Sequence, residues 1–397
     1  MNKSLVVGLA LLAAGCGGRA ERHGSAPATA PAPRAGGYPL RSDPLVLRPA
    51  PTLLTPADAP VFRNLLLDRL RADGGKALDP AALPKSTREE VGAALAESFG
   101  SPAEPRAGGA AEEALRRALR LDGPTLAAGS RLYREHCLNC HGLTGNGWGP
   151  AAFSMGFPKP RDFRRGLFKY VSSAPDLPGR KPRRGDLLRL LREGAPGTSM
   201  LAYALLPPGD REALVSYTVH LSARGEVEFD ALRALLEAGG TADGLEGGSV
   251  AGRVRERTRA VLAAWARSDR EAPPPVPPDE GVREESIRRG YRLFTDPAGP
   301  GACAACHTDF GRKALLRFDD WGTLAQPTDL MRGLYKGGAR PADLFRRVRE
   351  GIPGSGMPGA GPGRDGALWD LVHFVLALPT PERLPPDVRD KVYPPGR

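Results

Sequence analysis

Aromatic side chains make up only 6% of this 397-residue chain, and only five of its residues are cysteine. The first shortage removes the large rings that usually dominate a core. The second leaves no cysteine framework to staple the chain in their place. Long apolar runs are missing too. The run from Leu5 to Ala14 is too short to cross a bilayer, and no later segment is long and apolar enough to do so. Glycine and proline, by contrast, are abundant at 50 and 41 residues. The length suits two or three domains. A chain this rich in loops folds if something other than side chains fills its core.

The cysteines say what that something is. They are Cys16, Cys137, Cys140, Cys303 and Cys306. The last four form two identical patterns, "CLNCH" (137–141) and "CAACH" (303–307), each closed by a histidine, His141 and His307. Two thiols three positions apart fit a redox dithiol, half of a zinc site, or a covalent haem. A zinc site pairs C-x-x-C with further Cys/His ligands at its own spacings and needs no histidine directly after both pairs. A thioredoxin-like dithiol sits beside a βαβ pattern, which is not visible here. C-x-x-C-H is the attachment pattern of c-type haem. One helical turn lets both thiols reach the two vinyl groups of a porphyrin edge, and the next residue supplies the proximal nitrogen. Two such motifs imply two covalently bound haem c groups, each with its iron.

The surroundings repeat as well, so the motifs read as a tandem duplication. Gly129 and Tyr133 precede the first motif and Gly290 and Phe294 the second, each pair one helical turn apart. "PRDFRRGLFKY" pairs with "PTDLMRGLYKGG". "RGDLLRLLREGAPGTSM" pairs with "PADLFRRVREGIPGSGM". Each copy closes with an amphipathic helix, one carrying Leu214 and Tyr217, the other Leu371 and Phe374. The two copies resemble the class I cytochrome c family. The resemblance implies an all-α fold of two haem domains in tandem, with helical accessory segments. It implies a glycine crossing between the first and last helix of each domain. It also implies His/Met ligation of both irons, by His141 with Met200 and by His307 with Met357. Pro150 sits where the family carries a proline whose carbonyl orients the proximal histidine; the second copy has no proline at that distance. Met200 is followed by Leu, where the family favours Pro; Met357 keeps the Pro. A "TDPAGPGA" insert before Cys303 requires the second copy's first helix to break. Met155 and Met331 read as core, His220 and His373 as surface or interhelix residues, and His136 as facing solvent.

The rest divides around these domains. Lys3, the apolar run and "AAGC" look like a bacterial signal peptide ending in a lipobox, over residues 1–15, which implies lipidation at Cys16. Residues 16–50 read as a disordered Pro/Ala-rich tether, 51–122 as a helical accessory segment, 123–225 as the first cytochrome c domain and 226–281 as a helical linker. Residues 282–380 form the second domain and 381–397 a tail. The net charge is +11, with basic runs at "RDFRRGLFKY" and "GRKPRR". They read as a solvated surface, or as a face for acidic redox partners or anionic lipid. Nucleic acid is not an expected partner of an exported chain. No Ser/His/Asp arrangement, phosphate loop or paired-carboxylate site is visible.

The function expected is transfer of single electrons between redox partner proteins of a respiratory membrane complex. The chain would sit on the periplasmic side of the bacterial envelope, held at the membrane by its lipid. The resemblance implies an electron carrier, not an enzyme. The alternatives are a di-haem cytochrome c peroxidase-like enzyme, which needs one open haem, and a haem-based sensor with one labile ligand.

Overall fold

The computed structural model describes residues 37–48, 71–72, 74–156, 158–242, 245, 248–299, 302–321 and 323–394. The signal segment, Cys16 and residues 51–70 of the expected helical accessory segment lie outside them. The fold is all-α, with two small antiparallel pairs of strands: β1 (Leu45–Arg48) with β2 (Lys76–Leu78), and β3 (Arg317–Phe318) with β4 (Leu324–Ala325). Among the described residues, no helix is long and apolar enough to cross a membrane.

Two apolar cores correspond to the two copies. In the first, α3 (Gly123–His136) crosses α6 (Pro208–Glu237). In the second, α8 (Glu284–Thr295) crosses α11 (Asp365–Ala377). The crossing needs glycine in both. A methyl group at Gly129 would collide with the Ala213 carbonyl oxygen and lie 2.8 Å from Tyr217 Cβ. One at Gly290 would collide with the Asp370 carbonyl oxygen and lie 2.7 Å from Phe374 Cβ. The aromatic one turn later then packs across the contact, with ring centroids 5.3 Å apart for Tyr133–Tyr217 and 5.5 Å for Phe294–Phe374. Backbones approach this closely only where no Cβ intervenes.

Three expectations change. The tether expected through residue 50 is packed from Gly37 to Arg48. Tyr38 is buried there, its hydroxyl 2.9 Å from that of Tyr217 and 3.0 Å from His220 Nε2. The Arg41 backbone N–H donates to Glu228 at 2.7 Å. Two apolar and charged anchors outweigh a Pro/Gly-rich composition. The expected boundary at 225/226 falls inside α6, which runs 30 residues without a break. Its second half, with α1 (Lys85–Phe99), α2 (Glu113–Leu119) and α7 (Val250–Arg270), forms a helical layer on the first core. The tail holds α12 (Pro386–Val392), whose Val388 and Val392 are buried on the second core.

The basic stretch 161–189 also differs from expectation: much of it faces carboxylates within the protein. Lys181 pairs with Glu226 at 2.5 Å and Arg184 with Glu212 at 2.5 Å. Arg180 reaches Glu350 at 2.7 Å and Arg189 reaches Asp343 at 2.5 Å, both across to the second copy. Charged groups in a part-buried seam need partners, and here each copy supplies them to the other.

His220 is 0% exposed, and burial pushes its pKa down to about 3. It is held neutral in the fold but titrates in the unfolded chain near its ordinary value. Stability is therefore full above about pH 6.5 and falls as the pH drops toward 3, by about 1.4 kcal/mol per unit. Chemical denaturation at pH 7 and pH 5 should differ by about 2 kcal/mol more in the parent than in His220→Asn. Gly129→Ala and Gly290→Ala should each cost roughly 1–3 kcal/mol by overpacking. Gly366→Ala, in open space on α11, should be neutral or stabilising by about 0.5–1 kcal/mol. Thermal melts of the three variants check this; equal effects would remove the crossing argument.

Candidate haem sites

The first copy delivers its motif directly from a helix. Asp122 caps α3, its carboxylate accepting from the Thr125 N–H at 2.9 Å. The helix ends at His136, and the short α4 (Leu138–His141) follows at once. In the second copy α8 ends at Thr295, and α9 (Cys303–Cys306) starts only after the inserted turn, as the "TDPAGPGA" stretch requires. Both presentations leave the two thiols on one turn with the histidine beside them. The four cysteines are part-buried and free of disulfides.

The histidines are oriented identically. His141 Nδ1 lies 3.1 Å from the Arg161 carbonyl oxygen, and His307 Nδ1 lies 3.1 Å from the Thr328 carbonyl oxygen. A carbonyl accepts only from N–H, so each imidazole carries its proton on Nδ1 and presents Nε2 as the lone-pair nitrogen. This is how proteins orient a metal-binding histidine and raise its basicity. Burial pushes the His141 pKa down to about 4. The ring is neutral at neutral pH, as a metal ligand must be. The acceptor is not Pro150, which opens a short turn instead. It is supplied by the stretch that repeats as Pro160-Arg161-Asp162 and Pro327-Thr328-Asp329.

The methionine loops match bond for bond. After α5 (Arg184–Glu193), the Ala195 N–H donates to the Met200 carbonyl at 3.1 Å and the Met200 N–H donates to Thr198 Oγ1 at 3.1 Å. After α10 (Pro341–Glu350), the Ile352 N–H donates to the Met357 carbonyl at 3.1 Å and the Met357 N–H donates to Ser355 Oγ at 3.2 Å. Met200 needs no following proline to adopt this geometry. Its loop is tied to the end of α3 by the Tyr203 hydroxyl, which donates to the His136 carbonyl at 3.0 Å. His136 itself is part-buried beside the Tyr203 ring, 6.1 Å between centroids, not solvent-facing.

In the second copy, one cleft is lined by Cys303, Cys306, His307 and Met357, with Val348, Ile352, Pro358 and Ala360 around them. Thiols, an imidazole and a thioether facing a largely apolar cleft fit a covalent haem c. They fit the rivals poorly. A reactive dithiol needs a lowered thiol pKa, whereas burial pushes Cys137 up to about 12 and Cys303 upward too. Among the described residues, no three His, Cys, Asp or Glu side chains converge to hold a metal ion on their own. His220 and His373 are interhelix residues far from this role. His373 contacts Ser286 Oγ and Asp279 Oδ1, each at 2.9 Å. Met331 packs on the second core.

Sequence reading missed the seam between the copies. Asp319 is 1% exposed; its Oδ1 accepts from the Trp321 and Thr323 N–H groups and the Thr323 hydroxyl. Its Oδ2 lies 3.5 Å from Arg161 and 3.3 Å from Lys169 of the first copy. The Arg161 guanidinium stacks 3.5 Å from the centroid of the Trp321 ring, and Trp321 Nε1 donates to the Asp162 carbonyl at 3.1 Å. A tryptophan in the unmatched part of the second copy was the available signal. Tyr203→Phe should lower stability to urea by about 0.5–1.5 kcal/mol; no change would mean the loop is held some other way.

Residues 124–217 match the family model described as cytochrome c oxidase, cbb3-type, subunit III. The match includes Cys137, Cys140, His141 and Met200; the second copy lies outside it. Among solved structures, a chain of the Kuenenia stuttgartiensis reducing HAO-like protein complex is similar at 24% identity with a TM-score of 0.45. The likeness covers 63% of this chain and 95% of that one. No curated protein matches. The family match supports a cytochrome c family, with covalently bound haem c, for residues 124–217.

Proposed function

We propose that the chain is a di-haem c-type cytochrome that passes single electrons between membrane-associated respiratory partners. Cys137 and Cys140 would attach one haem and Cys303 and Cys306 the other. His141 with Met200, and His307 with Met357, would hold the two irons. The observation that carries this is the pair of matching 3.1 Å contacts from histidine Nδ1 to a backbone carbonyl. They turn the same nitrogen of each imidazole toward a ligand. Bound haem c would supply a one-electron couple between ferric and ferrous iron. A thioether as sixth ligand closes the site to small molecules and raises the potential relative to a second nitrogen ligand. Both methionine loops are pinned by the same hydrogen bonds, so both sites are read as closed, and the chain as a carrier and not an enzyme. Lipidation at Cys16 would keep it at the periplasmic face of a membrane, near its donors and acceptors.

Optical spectra of the ferric and ferrous holoprotein, with carbon monoxide added to the reduced form, test the reading. Two His/Met haems give a weak far-red ferric band that Met200→Ala and Met357→Ala each reduce by about half, and no rapid carbon monoxide binding. Rapid binding at one haem of the parent protein would reject a closed carrier and direct attention to peroxide turnover.

A further inference from the structure

The second cleft is not built by the second copy alone. Lys169 and Tyr170, both from the first copy, line it beside Cys303, Cys306, His307 and Met357. Lys336, the repeat counterpart of Lys169, lines it too. We propose that Lys169 and Tyr170 complete the second haem site across the seam, with Lys169 and Lys336 neutralising the two carboxylates of the bound tetrapyrrole. The proposal rests on the haem reading of Cys303, Cys306 and His307.

Charge balance points this way. Lys169 shares its one carboxylate, Asp319, with Arg161 at 3.3 and 3.5 Å. The nearby Asp162 is already held by Arg164 at 2.7 Å. Lys336 has no carboxylate within ion-pair distance among the described residues. Lys169 and Arg161 thus share one aspartate in a part-buried seam, Lys336 lines the same cleft, and Arg347 beside Tyr170 donates to the Gly337 and Gly338 carbonyls, so positive charge exceeds negative here. Burying such an excess is costly unless anions accompany it. A haem brings two carboxylates, which would offset this excess. Desolvation lowers the pKa of both lysines, Lys169 to about 8, as for any cation drawn out of water.

Tyr170 is shaped to the same place. Its ring abuts Gly337, where a Cβ would overlap it, and the Arg347 guanidinium sits 5.7 Å from its centroid. Burial pushes its phenol up to about 12. It stays a neutral hydroxyl, able to donate to a carboxylate. The Arg161–Trp321 stack and the Arg180–Glu350 and Arg189–Asp343 pairs hold the first copy against the second. They fix Lys169 and Tyr170 at the cleft. Docking of the copies would thus be part of forming the second haem site.

The test is spectroelectrochemical titration of the full-length holoprotein, after haem quantification confirms two haems per chain. Met357→His identifies the component belonging to the second haem by the shift it causes. Removing a positive charge favours the more positive ferric iron. Lys169→Gln should therefore shift that component's equilibrium roughly three- to tenfold toward ferric, tenfold being about 59 mV for one electron. Lys169→Arg should restore it. Two haems with the second potential unmoved, or the first moved more, would overturn the proposal and leave the haem reading intact. A count below two would remove the reading beneath it. If Lys169→Gln does not accumulate, acetylation footprinting of the parent replaces it. Lys169 should be protected there and become reactive in Cys303→Ala/Cys306→Ala/His307→Ala; equal reactivity in both would overturn the proposal.

Discussion

The contact between a histidine Nδ1 and a backbone carbonyl is the constraint on which the rest of the structure depends. It fixes each imidazole with its proton on Nδ1 and its lone pair on Nε2. It also dictates where the chain must pass 20 or 21 residues after the histidine. In the first copy the residue that supplies this carbonyl is Arg161, and its side chain does not stay at home. The guanidinium crosses the seam to stack on Trp321 and to face Asp319. One residue thus orients the His141 imidazole through its carbonyl and contacts the second copy through its side chain.

Ion pairs in and beside the seam also take up part of the chain's basic charge. A net charge of +11 suggests a basic outer surface, but the densest basic stretch is turned inward. Arg164 closes on Asp43 and Asp162, Lys181 on Glu226, and Arg180 and Arg189 on carboxylates of the second copy. Exposed pairs of this kind contribute little. Part-buried ones specify a geometry, because a misdocked copy would strand charges. The added helical layer, α1, α2, α7 and the second half of α6, packs on the first core. The first copy is therefore braced by this layer and by the seam, and the second copy is braced against it.

Much of the fold was legible in the sequence because the two copies repeat the same residues at the same spacings. The C-x-x-C-H motifs, Gly129 and Gly290, and the Met200 and Met357 loops admit few substitutes, so the repeat stands out. What was not legible depends on backbone. The carbonyls of Arg161 and Thr328 have no side-chain signature, and a proline nearer the motif, Pro150, drew the expectation away from them. The order of residues 37–48 rests on Tyr38 and Arg41, two side chains in a stretch whose composition reads as a tether. The continuity of α6 past residue 225 was hidden for a similar reason: its buried face passes from the crossing with α3 to the helical layer while the helix goes on. The seam itself depends on long-range pairs such as Lys169–Asp319, which no local periodicity encodes.

The central claim is that each copy presents its histidine and its methionine to the same iron. Low-temperature electron paramagnetic resonance of the ferric holoprotein, with spins counted per chain, tests it most directly. Two low-spin haems per chain, with no high-spin signal, is the predicted result. A stoichiometric high-spin signal, or a single low-spin haem, would contradict it.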